Sequence, residues 1–135
     1  MILLDTHAWI WSVTGDATLN ETARREIVAA EAAQQLYLCP ISLWEIALKH
    51  SRGKLDLDRP LRSWLRTALA LSGVQLTMLD SDVAVSCAEL PAAFHGDPAD
   101  RLIAATARVE GLQLVTHDKR LLALAKAGHF RAIPT

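Results

Sequence analysis

The chain has 135 residues, of which 51% are hydrophobic, enough for one domain with a substantial core and too few for two. Its 14 lysines and arginines nearly balance 15 aspartates and glutamates, which excludes the global basic field of a general nucleic-acid binder. We therefore predict one domain over residues 1–135, in which any polyanionic ligand is held locally.

Three features of the sequence indicate the cellular compartment of the protein. The N-terminal segment MILLDTHAWIW lacks a basic region and reaches Asp5 after only three apolar residues, unlike a secretory signal peptide. No apolar run approaches the length of a membrane span. Cys39 and Cys87 lie in apolar sequence without the CxxC spacing of a redox or zinc site, so we expect buried, reduced thiols. Together these features predict a cytoplasmic protein.

Apolar runs and helix signals alternate along the first half of the chain. The run over residues 2–4 is unbroken, which is typical of a strand buried on both faces. In chain order we predict a strand over 2–4, a helix over 6–13, a helix from Asn20 to about Ala33, a strand over 36–40 and a helix from Ser42 to Gly53.

The second half continues this pattern, and its clearest signal is a helix start. Asp97 can accept a free backbone N–H as an N-cap, and Pro98 suits the first helical position because that position needs no donor. In chain order we predict a helix after Pro60, a strand over 74–79, a short helix capped by Ser81, a helix from Asp97 to Gly111, a strand over 112–115, a helix over 119–127 and a small strand over 130–133.

Strands that alternate with one or two helices favour a mainly parallel sheet with right-handed crossovers. We therefore predict a three-layer α/β/α sandwich with a mainly parallel central sheet of four to five strands. In such sheets, ligand sites form beyond the C-terminal strand ends, where Asp5 and Asp118 are predicted to lie. The helix starts that carry Glu45 and Asp100 fall near the same edge, so we expect four carboxylates to converge.

A cluster of this kind needs a compensating charge. Two like charges about 4 Å apart repel by about 4 kcal/mol at an effective dielectric constant of about 20. Because histidines and cysteines do not occur at metal-ligand spacing, the oxygen donors favour Mg²⁺ or Mn²⁺ over zinc. The sequence therefore predicts a site for a hard divalent cation.

Purely structural explanations exist for the same acids. Ser42 and Glu45 match a capping box, in which each side chain bonds the backbone amide of the other residue. Asp100 lies in a first helical turn, where a negative charge favours the helix dipole, and Asp97 is spaced to pair with Arg101. Taken alone, the segment around Asp97 is better explained in this structural way.

Four segments occur together in the order and spacing of a known family: LLDTHAWIW, ISLWEIALKHSRGKL, HGDPADRLIAATA and LVTHDKRL. In this combination the chain closely resembles the PIN-domain family and, more narrowly, the VapC-type toxins of bacterial type II toxin–antitoxin systems. The resemblance covers essentially the whole chain, and no core acid of the family pattern is missing. It implies a metal-dependent endoribonuclease that hydrolyses RNA and leaves a 5′-phosphate and a 3′-hydroxyl.

The resemblance also implies roles for individual residues. The implied catalytic acids are Asp5, Glu45, Asp100 and Asp118. We expect Asp5, Asp100 and Asp118 to hold Mg²⁺, with Mn²⁺ as the alternative, directly or through water. We expect Glu45 to orient or deprotonate the attacking water. The residues expected to support these acids are Thr6, Asp97 and Thr116.

The same resemblance implies the partners. We expect a homodimer and a cognate antitoxin whose peptide covers the site, and no membrane association. Basic residues near the acidic motifs are the candidates for contacts to RNA phosphates, namely Lys49, Arg52, Arg101 and Lys119.

Histidines and tryptophans near these motifs have simpler explanations. Histidines at such junctions more often bond backbone than metal, which is our expectation for His7, His95 and His117. Tryptophans at helical spacing more often pack than stack on bases, so we expect core packing or dimer contacts for Trp9, Trp11 and Trp44.

Two other functions stay open. One is another Mg²⁺-dependent phosphoryl-transfer hydrolase, such as a phosphatase with Asp5 as its nucleophile. Enzymes similar to haloacid dehalogenases carry a second aspartate two residues further on, where this chain has His7, which disfavours that reading. The other is a PIN-like module that binds RNA or a protein without cutting, which the intact acids disfavour.

Overall fold

The structure, a computed structural model, describes residues 1–94 and 96–135. Along the described residues the elements are β1 (Ile2–Leu4), α1 (Thr6–Thr14), α2 (Glu21–Ala32), β2 (Leu36–Leu38), α3 (Ile41–Ser51), α4 (Leu61–Ser72), β3 (Gln75–Leu76), α5 (Ser81–Ala88), α6 (Pro98–Glu110), β4 (Gln113–Thr116), α7 (Lys119–Lys126) and β5 (Ala132–Pro134). Among the helices of this described part, none is both long and apolar enough to cross a lipid bilayer.

The strands form a parallel sheet with β1 at its centre. Within the described residues the order is β3-β2-β1-β4-β5, and each pairing is parallel. Leu3 of β1 pairs with Tyr37 of β2 on one side and with Leu114 of β4 on the other. Leu3 and Leu4 are fully buried, which explains why β1 is an unbroken apolar run: both faces of the strand are covered.

Side chains of β1 separate the core into two layers. Ile2 and Leu4 join an apolar cluster that contains Trp9 of α1, whereas Leu3 joins a second cluster that contains Ile103 of α6. Because neighbouring residues of a strand point to opposite faces, helices pack against both sides of the sheet. The predicted three-layer α/β/α sandwich is confirmed.

The two outer strands differ most from the predicted boundaries. β3 comprises only Gln75 and Leu76, whereas we predicted a strand over 74–79. Among the described residues β3 pairs with β2 alone, and both residues of β3 are exposed, so a second neighbouring strand does not extend its ladder there. β5 starts at Ala132 rather than at residue 130. The other boundaries differ from the predicted ones by one or two residues.

Polar N-caps define most helix starts. Asp97 is a cap as predicted, and Asn20 is a cap at the predicted start of α2, since each side chain accepts the amide of the residue three positions on. α5 differs, because Asp80 rather than Ser81 is its cap. The Asp80 carboxylate accepts the Val83 amide, and Ser81 is already the first helical residue. An aspartate directly before a serine supplies an equally good cap one residue earlier.

Both cysteines are free thiols. Cys39 is buried, with its sulfur 3.8 Å from the Thr106 hydroxyl, as expected for a packed thiol. Cys87 is only half-buried, so the expectation of burial holds for Cys39 alone.

The carboxyl ends of β1 and β4 lie side by side. Leu4 pairs with Val115, and the Asp5 amide donates to the Val115 carbonyl at 3.1 Å. Residues that follow these two strands therefore meet at one edge of the sheet, although about 110 residues separate them in the chain.

Trp9 supplies a test of the packing between α1 and α4. It is fully buried, its ring meets Trp64 edge-on at 5.7 Å, and its indole N–H donates to the Ser72 hydroxyl at 3.0 Å. Trp9→Ala is expected to lower the free energy of unfolding by about 3–5 kcal/mol, because it leaves a large cavity. The control Leu71→Ala removes a side chain that is 72% exposed, so it is expected to change stability by only about 0.5 kcal/mol.

Urea denaturation followed by far-UV circular dichroism measures both variants without relying on tryptophan emission. Equal stability of the two variants would contradict the packing described for Trp9.

Candidate metal centre

A cleft of about 370 Å³ opens at the carboxyl edge of the sheet. It is lined by acidic, basic and aromatic side chains, which are Asp5, Thr6, His7, Trp11, Glu45, Lys49, Asp97, Asp100, His117, Asp118 and Arg120. The four predicted catalytic acids therefore line one cleft, and Asp97 lines it with them.

Asp5 is a buried carboxylate held at the end of β1. Its side chain caps α1, since Oδ1 accepts the Ala8 amide at 2.8 Å. Its Oδ2 accepts a short hydrogen bond from the Thr116 hydroxyl. Burial raises the pKa of Asp5 above its ordinary value, while the hydrogen bonds from Thr116 and Ala8 oppose that rise.

Thr116 connects the two strand ends. Besides donating to Asp5, its hydroxyl accepts the Asp118 amide at 3.0 Å. Asp118 in turn caps α7, because its Oδ1 accepts the amides of Arg120 and Leu121 at 2.8 and 3.0 Å. The Thr116 hydroxyl thus bonds both Asp5 and Asp118 and fixes their relative positions.

Glu45 is oriented by α1 and not by its own helix start. The predicted capping box is wrong: α3 begins at Ile41, its N-cap Pro40 makes no side-chain bond, and Ser42 lies inside the helix. The Thr6 hydroxyl donates instead to Glu45 Oε1 and lies 2.9 Å from Ser42 Oγ. Because the helix starts earlier than predicted, Glu45 is free to face the cleft, where it is 8% exposed.

Glu45, Asp97 and Asp100 make up the tightest acidic group of the described residues. One oxygen from each lies within 4.8 Å of the others. Asp97 was expected only to support the acids, yet here it shares the group while Asp97 Oδ1 accepts the Asp100 amide at 2.8 Å. Asp5 and Asp118 line the same cleft but, among the described residues, do not complete a group this tight with Asp100.

Negative charge in the cleft is only partly compensated. The pKa of Asp100 is raised to about 7, chiefly by burial and then by the charges of Asp97, Asp118 and Glu45, while Arg120 opposes the rise. A carboxylic acid that holds its proton near neutral pH marks a place where another cation is favoured.

Two basic side chains, one on α3 and one on α7, lie beside the acids. Lys49 Nζ, on α3, lies 3.6 Å from Glu45 Oε2 and 3.4 Å from His7 Nε2. Arg120, on α7, lies 3.9 Å from Asp100 Oδ2 and 3.7 Å from Asp118 Oδ2. All these distances exceed those of a strong charge-assisted hydrogen bond, which are about 2.7–2.9 Å.

The predicted RNA-binding residues have different surroundings. Lys49 lines the cleft, whereas Arg52 and Lys119 are exposed outside its lining. Arg101 donates to the carbonyls of Phe94 and Cys87 at 2.9 and 3.1 Å, and its guanidinium lies 5.8 Å from the Phe94 ring centre. These contacts replace the predicted Asp97–Arg101 pair and leave Arg101 in a structural position.

Aromatic rings form one wall of the cleft, a feature that was not predicted from the sequence. Trp11 is half-buried and lies between His7 and His117, with ring centres 5.7 and 5.5 Å away. The spacing of His7 and Trp11, four residues apart on α1, is the signal that could have placed both rings on one face. His117 Nδ1 lies 3.0 Å from the Thr135 hydroxyl, so its partner is a side chain and not backbone as expected.

Trp9, Trp44 and His95 also had predicted roles. Trp9 packs in the core as expected, whereas Trp44 is 51% exposed and is not a core residue. His95, which we expected to bond backbone, lies outside the described residues.

Comparison with known proteins places the chain in a family. The model of the PIN domain matches residues 2–127. The chain is 37% identical over 120 residues to Ribonuclease VapC22 of Mycobacterium tuberculosis (strain ATCC 25618 / H37Rv), covering 89% of this chain and 88% of that protein.

Solved structures agree in fold. The crystal structure of VapBC2 from Rickettsia felis bound to a promoter DNA fragment matches with a TM-score of 0.73 at 16% identity, covering 100% of this chain and 99% of that one. DNA-bound VapBC from Salmonella typhimurium matches with a TM-score of 0.70 at 20% identity, covering 98% and 96%. With a family model that spans nearly the whole chain and a relative of this identity, the chain belongs to the PIN-domain family.

Proposed function

We propose that this chain is a metal-dependent endoribonuclease that acts as the toxin of a toxin–antitoxin pair. The observation that carries the proposal is the convergence of five carboxylates on one cleft, in a chain whose 37%-identical relative is named a ribonuclease. The cleft is formed at the carboxyl edge of the parallel sheet, where sites in such folds lie.

The side chains present fit a hard divalent cation. The donors are carboxylate oxygens, and one oxygen from each of Glu45, Asp97 and Asp100 lies within 4.8 Å of the others. The pKa of Asp100, raised to about 7, is consistent with negative charge that is only partly compensated. Oxygen donors without thiolates favour Mg²⁺, with Mn²⁺ as the alternative. We propose Asp5, Asp100 and Asp118 as metal ligands, directly or through water, and add Asp97 because of its place in the tight group.

The cation, when bound, would activate a water and neutralise charge on the phosphate during in-line displacement. Glu45 is the proposed base that orients or deprotonates this water. Its Oε1 is held by the Thr6 hydroxyl and its Oε2 faces Lys49, so its orientation is fixed before substrate arrives. Thr6 positions Glu45, and Thr116 positions Asp5.

RNA is the proposed substrate, cut to leave a 5′-phosphate and a 3′-hydroxyl. An acidic cleft repels phosphates, so positive side chains must hold the backbone near its rim. Lys49 lines the cleft, and Arg52 and Lys119 are exposed, so we propose these three as phosphate contacts. Arg101 is not retained, because two backbone carbonyls occupy its guanidinium.

A cognate antitoxin is the proposed protein partner, since VapBC2 from Rickettsia felis and VapBC from Salmonella typhimurium share this fold. We propose that its peptide covers the acidic cleft. A homodimer and a single domain over residues 1–135 complete the proposal.

The two alternative functions, a phosphatase and a binding module without activity, have less support. A phosphatase that used Asp5 as its nucleophile, in the manner of haloacid dehalogenases, would be expected to carry a second aspartate two residues on, where this chain has His7. A module that binds without cutting has no need for a carboxyl group such as Asp100, whose pKa is raised to about 7 by burial and then by the neighbouring acids.

The function is tested by incubating total bacterial RNA with the purified, antitoxin-free chain and Mg²⁺, Mn²⁺ or EDTA. We expect discrete fragments with 5′-phosphate ends in either metal, and none in EDTA or with Asp100→Asn. Metal binding without cleavage of any RNA would favour the binding module instead.

Glu45→Gln tests the proposed base. Glutamine keeps an Oε1 acceptor for Thr6, so folding is expected to be unchanged, while loss of the carboxylate is expected to slow cleavage by about 10²–10⁴-fold. The matched control Glu110→Gln changes an exposed acid at the end of α6 and is expected to cleave at the normal rate. Full cleavage by Glu45→Gln would remove Glu45 from the mechanism.

Asp100 also predicts a pH dependence of stability. Its folded pKa of about 7 lies above the ordinary value of 3.8, so the folded state keeps a proton that the unfolded state releases. Stability of the metal-free protein therefore falls as the pH rises between these two values. In EDTA, Asp100→Asn is expected to melt a few degrees above the wild type at about pH 8, with a smaller difference at about pH 5, and the two proteins are level only below the ordinary pKa of 3.8.

Differential scanning calorimetry at the two pH values measures this difference. A gap that is the same at both would mean that Asp100 is already ionised at low pH. Because metal binding needs the ionised form, Mg²⁺ is also expected to raise the melting temperature of the wild type more at the higher pH, and to leave Asp100→Asn nearly unchanged.

A further inference from the structure

Trp11 gives the acidic cleft a flat apolar surface. Its indole lines the cleft together with Asp5 and Asp118. The ring is half-buried, because part of it packs against the apolar cluster that contains Trp9, whereas Trp9 itself is fully buried. Packing therefore holds the Trp11 ring in place, and the rest of its surface is accessible to a ligand in the cleft.

Two histidines border the indole without stacking on it. The ring centres of His7 and His117 lie 5.7 and 5.5 Å from that of Trp11, and their planes are inclined to the indole plane by 41° and 82°. Stacked aromatic rings are nearly parallel. Neither histidine therefore takes a stacked position on Trp11, and both histidines are exposed.

The backbone places these rings next to the acids. His7 is two residues after Asp5, and His117 directly precedes Asp118. The paired ends of β1 and β4 therefore position the rings as well as the two carboxylates. His7 Nε2 also lies 3.4 Å from Nζ of Lys49, a proposed phosphate contact. The aromatic wall thus adjoins both the acids and a cation.

The cleft has the size and the chemistry for part of an RNA strand. Its volume of about 370 Å³ lies within the range of small-ligand pockets, which is about 300–1,000 Å³. Proteins that bind single-stranded RNA combine cations for the phosphates with aromatic rings on which the bases stack. Lys49 and Trp11 supply these two elements in the walls of one cleft.

We propose that Trp11 is a base-stacking residue: its indole stacks on a base of the bound RNA strand, next to the phosphate that is cut. The inference rests on the proposed function and adds a substrate contact to the same site. Every base has a π-face, so stacking tolerates different sequences but needs a base that is not covered by its neighbours in a duplex. Trp11 therefore directs the site to unpaired RNA.

Stacking differs from a structural role in which ligand its loss affects. Without the indole, an RNA with bases binds more weakly, whereas a strand of sugar and phosphate alone binds as before. A tryptophan that only supported the cleft would weaken both, because its loss would displace the side chains that contact the phosphates.

Binding is measured by fluorescence anisotropy with labelled hexaadenylate and with a labelled abasic ribose–phosphate hexamer, both in Mg²⁺. Every protein carries Glu45→Gln, so that cleavage is slow during the titration, and the chain with this change alone is the parent. Trp11→Leu is expected to bind hexaadenylate about five- to a hundredfold more weakly than the parent, the range for one stacked base. Its affinity for the abasic hexamer is expected to be unchanged.

The control Trp44→Leu removes an indole that is 51% exposed on α3, outside the cleft lining. This variant is expected to bind both probes as the parent does. Equal affinity of the parent for the two probes would overturn the proposal. So would equal losses for both probes in Trp11→Leu, or no loss for either.

Trp11→Phe provides a second measurement that does not depend on the folding of Trp11→Leu. Phenylalanine keeps an aromatic ring, so the affinity for hexaadenylate is expected to stay near that of the parent. A base stacked on an indole quenches its fluorescence, so hexaadenylate is expected to quench the tryptophan emission of the parent and not that of Trp11→Phe. Equal quenching of the two proteins would overturn the proposal.

The proposed function is tested separately, by incubating the unsubstituted chain with total bacterial RNA in Mg²⁺. If that chain cuts no RNA, the proposed function fails, while the anisotropy comparison still decides whether Trp11 stacks on a base.

Discussion

The hydrogen bond between a carboxylate and the free amides of a helix N-terminus is the interaction on which the acidic cleft depends. Asp5, Asp97 and Asp118 are the N-caps of α1, α6 and α7. Each satisfies an amide that its helix leaves unpaired and places its charge at the positive end of a helix dipole. Three carboxylates can therefore converge in the protein before a cation compensates them.

Capping and catalysis are compatible uses of the same side chain. A cap needs one oxygen of a carboxylate, which leaves lone pairs of the other oxygen for a ligand. Asp97 illustrates this, because its Oδ1 accepts the Asp100 amide while the residue also belongs to the tight group with Glu45. The structural explanation of this helix start and its proposed role at the metal centre are both satisfied by one geometry.

Glu45 and Asp100 do not cap a helix, and they carry the negative charge of the cleft that helix caps do not compensate. Glu45 is held by the Thr6 hydroxyl and faces Lys49, and Asp100 carries a pKa of about 7. Such a group lowers the stability of the folded chain near neutral pH, as expected where a site is arranged for a ligand and not for its own stability. Lys49 and Arg120 reduce this imbalance without removing it, since their contacts to the acids are long.

Local signals in the sequence determined the elements and the edge at which the site lies. The apolar run of β1 and the Asp97-Pro98 start are written in adjacent residues, so burial periodicity and capping chemistry predict them without knowledge of the fold. The alternation of strands and helices then predicts a parallel sheet, and with it the meeting of Asp5 and Asp118 at the strand ends.

Tertiary structure decided which partner each polar side chain takes. Ser42 and Glu45 look like a local capping box, but the Thr6 hydroxyl, 39 residues from Glu45 in the chain, holds the carboxylate instead. Arg101 has a suitable partner four residues away, yet it donates to the carbonyls of Cys87, in α5, and of Phe94. A hydrogen bond forms where the packed helices bring donor and acceptor within about 3 Å. That distance depends on how the helices cross the sheet. The spacing of residues along the chain does not determine these crossings.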